Sequence, residues 1–185
     1  MHKKIIFRCD SGKIPELGTG HLQRCITLSI LFKKKFGLKK NDILFLTKTN
    51  GKFNIGKKIL TQKKINFVSI NNKIIDYSRQ EKNLINSYNS KLIVIDRLGK
   101  INKSFIYNLK KNHKKILLFD DNSKYRDLVD LAINPLILNV KKLKKTLVGF
   151  KFNIIPAFLA NHTKKIKNQK INNIFISFGG YDKNN

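Results

Sequence analysis

Short apolar runs bounded by polar residues alternate along this chain with longer stretches whose apolar positions recur at helical spacing. The first run, residues 4–10, carries Ile5-Ile6-Phe7 and predicts a strand. After a loop at 11–17, Cys25, Leu28, Leu31 and Phe32 fall at i, i+3, i+6 and i+7 and predict a helix packed on a sheet through that stripe. Its end is marked by Lys33-Lys34-Lys35 and then Gly37, because helix C-termini favour cations and a glycine just beyond them. Residues 42–47 form a continuous apolar run, as strands buried on both faces do. A helix over 53–63, a strand at 65–70 and a helix over 74–88 with Tyr77, Leu84 and Ile85 among its apolar positions come next. Strands at 91–96 and 116–119 flank a helix over 101–112, and a sixth strand at 131–134 is halted by Pro135. A repeated βα unit predicts an α/β fold, a Rossmann-like parallel sheet flanked by helices.

Composition narrows the class. At 185 residues and 41% hydrophobic, the chain is long and apolar enough to bury a core. No run approaches the ~20 apolar residues of a membrane span, and the short start Met1-His2-Lys3-Lys4 predicts neither signal peptide nor anchor. Cys9 and Cys25 are the only cysteines, too few for a disulfide framework, so a cytoplasmic location is expected, with Cys25 in the core. The net charge of +28, from 39 Lys and Arg against 11 Asp and Glu, would attract polyanions whatever the fold. Yet the lysines are spread through every segment, clusters such as Lys33-Lys34-Lys35, Lys57-Lys58 and Lys141-Lys142 fall on predicted helices or loops, and no nucleic-acid-binding signature is present. Solvated faces are expected there, with no specific nucleic-acid partner and no membrane.

Candidate chemistry gathers at the carboxyl ends of the predicted strands. Gly18-Thr19-Gly20-His21-Leu22-Gln23-Arg24 lies between the first strand and the first helix, where a glycine turn lets backbone N–H groups approach an anionic group. His21 and Arg24 project from nearly the same face of the first helical turn, a candidate base beside a fixed cation. Taken alone, a bare Gly-Thr-Gly turn is more commonly a plain βα connection. With so few acidic residues, it is notable that Asp10, Asp96, Asp120 and Asp121 all follow predicted strands, at the edge where open α/β sheets bind ligands. Each could hold sugar hydroxyls or a catalytic imidazole, or simply cap a helix or close a turn, and for Asp96 and Asp120 both readings stand open. Adjacent carboxylates with no nearby histidine make a poor metal site, so no metal is expected.

Phe7-Arg8-Cys9-Asp10, followed by Gly18 through Leu28, resembles the opening pattern "FRxD … GxGHxxRCxxLA" of the UDP-sugar hydrolases of pseudaminic acid biosynthesis and related spore-coat polysaccharide proteins, with Ser29 in the usual alanine position. Val94-Ile95-Asp96, Phe119-Asp120-Asp121, Asp130 to Asn134 and Ile176-Ser177-Phe178-Gly179-Gly180 are similar to later stretches of that family. The resemblance implies the N-terminal half of a GT-B-type fold over 1–150, a linker over 151–171, and the first strand and glycine turn of a second domain over 172–185. It implies hydrolysis of a UDP-linked 2,4-diacetamido-2,4,6-trideoxyhexose to UDP and free sugar, with no cofactor. His21 would be the general base, Asp10 would orient it or bind sugar, and Gly18, Thr19, Gly20, Arg24, Asp96, Asp121, Gly179 and Gly180 would contact substrate. For Asp10 and Asp121 the resemblance favours the functional reading. Most of the nucleotide-binding surface would then lie in the second domain, so the sequence reads as a fragment, as one of two chains that share a site, or as an inactive product. The rival readings are a GT-B-type glycosyltransferase and a non-catalytic basic module that binds polyanions or a partner.

Overall fold

A computed structural model describes residues 4–13, 17–97, 99–135, 144–156 and 159. Seven parallel strands form one sheet in the order β3-β2-β1-β4-β5-β6-β7. They are β1 (Ile5–Cys9), β2 (Ile43–Lys48), β3 (Phe67–Ile70), β4 (Leu92–Asp96), β5 (Lys115–Phe119), β6 (Leu131–Asn134) and β7 (Thr146–Val148). The helices α1 (Gly20–Phe36), α2 (Asn54–Gln62), α3 (Arg79–Asn86) and α4 (Lys103–Lys111) cover both faces, giving the expected Rossmann-like α/β architecture. Every residue of β1 and β2 is buried, which explains their unbroken apolar runs. Among the described residues no helix is long and apolar enough to cross a membrane.

Strand alternation sorts the core into two clusters. Phe7, Cys9, Phe45, Val94, Leu117 and Phe119 pack with Leu22, Cys25, Ile26 and Leu60 of α1 and α2. Ile6, Leu44, Leu46, Ile93, Ile95 and Leu118 pack with Ile85, Phe105, Ile106 and Leu109 of α3 and α4. Successive residues of a strand point to opposite faces, so one step along β1 or β4 changes which helices a side chain meets.

Three differences from the sequence reading have clear causes. The buried stripe of α1 is Leu22, Cys25, Ile26, Leu28 and Ser29, whereas Leu31 is 39% exposed, because the helix faces the sheet one step round from the predicted stripe. α3 starts only at Arg79, since Tyr77 takes φ +62° and Ser78 caps the helix by accepting a hydrogen bond from the Glu81 backbone N–H. Thr146–Val148, for which the apolar pattern predicts no strand, extends the sheet as β7 beside β6. The α1 terminus follows expectation, with Gly37 at φ +61° after a cationic last turn.

Candidate functional site

The strand order reverses direction between β1 and β4, which sit side by side although α1, β2, α2, β3 and α3 separate them in sequence. Ligands of open α/β sheets bind outside the carboxyl ends at such a switch point. Here the edge carries two charged corners, one on each face.

On the α1 face, Cys9 and Asp96 are in register at the ends of β1 and β4, and Asp96 in turn with Phe119 of β5. All three point toward α1. Asp96 is completely buried and accepts two hydrogen bonds from Arg24, from Nε at 2.6 Å and Nη2 at 2.6 Å. His21 Nδ1 lies 2.7 Å from Asp96 Oδ1. Arg24 also pairs with Asp120 at 2.6 Å and lies over the Phe119 ring, 4.9 Å from its centroid. Asp120 reaches it from a left-handed backbone, φ +45°, that interrupts strand alternation immediately after β5.

Burial works against the Asp96 charge, but the hydrogen bonds and charges of Arg24 and His21 outweigh it and hold the carboxyl below its usual range. An ionised carboxylate only accepts, so a neutral His21 must donate from Nδ1, leaving Nε2 as the unprotonated nitrogen. Among the described residues Nε2 has no hydrogen-bond partner, and the side chain is 19% exposed. The ring is therefore oriented at one end and open at the other. Cys25, 3.8 Å from Asp96 Oδ2, is pushed well up by burial and stays a packing thiol.

α1 begins at Gly20 with no side-chain cap and no acidic residue in its first turn. Its first N–H groups thus lack intrahelical partners. At Gly20 a Cβ would meet nothing within 4 Å among the described residues.

The second corner lies on the α3 face. Arg8, the largest fully buried side chain, donates from Nη1 to Asp10 at 2.7 Å and from Nε to Glu81 at 2.6 Å. Arg97, one residue beyond Asp96 and so on the other face, grips Glu81 through Nη1 and through Nη2 at 2.7 Å. Its guanidinium lies over the Tyr77 ring, 4.1 Å from the centroid. Burial alone would lift the Glu81 carboxyl, but Arg97 and Arg8 bring it down to about 2.

The predicted residues are thus divided. His21, Arg24 and Asp96 come together, with Gly18, Thr19 and Gly20 just before them at the start of α1. Asp10 does not orient His21: its carboxylate takes Arg8 and the Lys48 backbone N–H at 2.8 Å, because it lies one step past Cys9 and faces α3. Asp121 accepts from the backbone N–H groups of Ile101 and Ser123, both at 2.7 Å, and is only 2% exposed, so its two oxygens tie loops together. Gly179 and Gly180 lie outside the described residues. Glu81 and Arg97 were not singled out by sequence reasoning, although Glu81 falls midway between Tyr77 and Ile85 on the apolar face of its segment, an informative place for a carboxylate. Among the described residues no group of three His, Cys, Asp or Glu side chains could hold a metal ion.

No family model matches the chain. An uncharacterized protein of Methanocaldococcus jannaschii is similar to it, 32% identical over 185 residues, a match covering 92% of this chain and 36% of that protein. The chain spans little more than a third of that relative's length.

Proposed function

We propose that this chain is the part of a nucleotide-sugar hydrolase that activates water, acting on a UDP-linked 2,4-diacetamido-2,4,6-trideoxyhexose. The observation that carries the reading is the buried Asp96 carboxylate 2.7 Å from His21 Nδ1, with the opposite ring nitrogen open at the switch point. His21 Nε2 accepts a proton from water as the water oxygen bonds to the anomeric carbon. The bond from that carbon to the diphosphate oxygen breaks, UDP departs with the bonding electrons, and the anomeric centre inverts. Asp96 stabilises the imidazolium so formed, and Arg24 keeps Asp96 ionised. The N–H groups at the start of α1, which have no intrahelical partners, suit a developing negative charge on the diphosphate. The substrate itself rests on the opening-motif resemblance.

Release of UDP with water as the only acceptor tests this. The expected result is steady release that falls about 10²- to 10⁴-fold in His21→Ala, the range for losing a general base. Release unaffected by that substitution, or turnover only when a sugar acceptor is added, would overturn it, the latter in favour of a glycosyltransferase.

A further inference from the structure

The α3-face corner holds more charge than the His21 corner, and one of its members differs from the rest. Arg8, Lys48 and Arg97 face Asp10, Glu81 and Asp76, three cations against three carboxylates. Arg8, Arg97 and Glu81 side chains are at most 1% exposed and Lys48 is 10% exposed, but Asp76 is 37% exposed. Asp76 sits on the outside of the cluster, and all three cations converge on its single Oδ1: Lys48 Nζ at 2.8 Å, Arg97 Nη1 at 3.3 Å and Arg8 Nη2 at 3.4 Å. Only the first is a normal charge-assisted distance. One oxygen cannot meet three donors well. The Arg97 side chain, 1% exposed, also keeps its Nε–H buried and without a partner among the described residues. Next to Asp76, Tyr77 is held at φ +62°, a strained backbone for a bulky residue.

We propose that Asp76 is a removable internal anion, and that Arg8, Lys48 and Arg97 beneath it form a binding site for a phosphoryl group. A phosphoryl group presents several oxygens in a tetrahedral array, so each cation gains its own acceptor where Asp76 offers one to share. Arginines with planar forks are suited to that geometry. Displacing Asp76 leaves the three cations facing Asp10 and Glu81 alone, a net positive site, and lets the strained Asp76-Tyr77 turn relax. The site lies at the carboxyl edge, with Arg8 near the end of β1, Lys48 at the end of β2 and Arg97 just after β4, and its existence does not depend on the His21 chemistry.

Calorimetric titration with inorganic phosphate at fixed ionic strength tests the proposal. Asp76→Asn should bind phosphate about tenfold more tightly or better than the unmodified chain, since a like charge has been removed a few ångströms from the bound anion. Adding Lys48→Met should abolish that gain, whereas adding Lys35→Met, an exposed lysine in the last turn of α1, should leave it intact. In the unmodified chain, the Arg97 Nε–H resonance should shift on phosphate addition, a readout that needs no variant to fold. Equal phosphate affinity with and without Asp76→Asn would overturn the proposal, as would equal losses from Lys48→Met and Lys35→Met or a motionless Arg97 resonance. Acetate binding as tightly as phosphate to Asp76→Asn would overturn the phosphoryl assignment.

Discussion

Two corners at the same sheet edge are built from the same materials, carboxylates gripped by arginines, and do different things. In the His21 corner, Asp96 shares its oxygens between Arg24 and an imidazole whose far nitrogen is open. In the Arg8 corner, Glu81 is enclosed by two guanidinium groups and the Tyr77 backbone N–H, at 2.6 Å, and the group that faces out is Asp76, a carboxylate held by cations rather than an imidazole. Burying an ion pair seldom adds net stability, while removing one partner costs a great deal. Both corners are therefore expensive to break, but only the first couples that expense to a base that can change protonation.

The same chemical change made in both corners separates them most sharply. Asp96→Asn removes the acceptor that fixes the His21 tautomer and leaves Arg24 facing an amide. Turnover should fall about 10²-fold or more, in the general-base range, together with a loss of about 3 kcal/mol in stability. Undiminished UDP release from this variant would erase the distinction between the corners. Glu81→Gln removes the buried carboxylate that Arg8 and Arg97 share, leaving Arg8 with Asp10 and Arg97 with only the 3.3 Å contact to Asp76, so urea unfolding should show a loss of about 3–5 kcal/mol. A loss below about 1 kcal/mol, the surface ion-pair range, would show that the corner is open to water rather than enclosed.

Acid dissects the same contrast. Glu81 titrates at about 2 in the folded chain against an ordinary 4.5, so its contribution is complete above roughly pH 5 and is lost as pH falls through about 2. That shift corresponds to about 3 kcal/mol. Asp10 and Asp96 are depressed too and act in the same direction. Melting temperatures between pH 5 and 2 should fall more steeply in the unmodified chain than in Glu81→Gln, and parallel curves would contradict the assignment. The smallest effect is expected at Asp120→Gly, where glycine relieves the φ +45° strain but removes an Arg24 partner. The two terms oppose each other, leaving a net change within about 1 kcal/mol. A larger loss would mean that the Arg24–Asp120 pair outweighs the strain.

Much of the fold was legible because its signals are local. Continuous apolar runs marked β1, β2, β4 and β5, and Gly37 after three lysines marked the end of α1. β7 was not, since Thr146–Val148 is too short to display a period and is a strand only through its pairing with β6. In the site, His21 and Arg24 were readable from spacing on one helical turn. Which aspartate serves them was not: Asp10 and Asp96 both follow apolar runs, and the choice depends on register. Asp96 is level with Cys9 and faces α1, while Asp10 is one step further and faces α3. Asp120 reaches Arg24 only through a left-handed backbone that composition does not announce. Arg8 belonged to the opening motif, yet nothing in the motif says that Glu81, 73 residues away, would be its partner.

The central claim is that Asp96 sets the His21 tautomer and leaves Nε2 as the base. Nitrogen-15 NMR of the neutral His21 ring, in the 185-residue chain and without substrate, tests it most directly. The account predicts a proton on Nδ1 and a bare, pyridine-type Nε2, with that preference lost in Asp96→Asn. A proton on Nε2 in the unmodified chain would contradict it, because the nitrogen assigned to accept water's proton would already carry one.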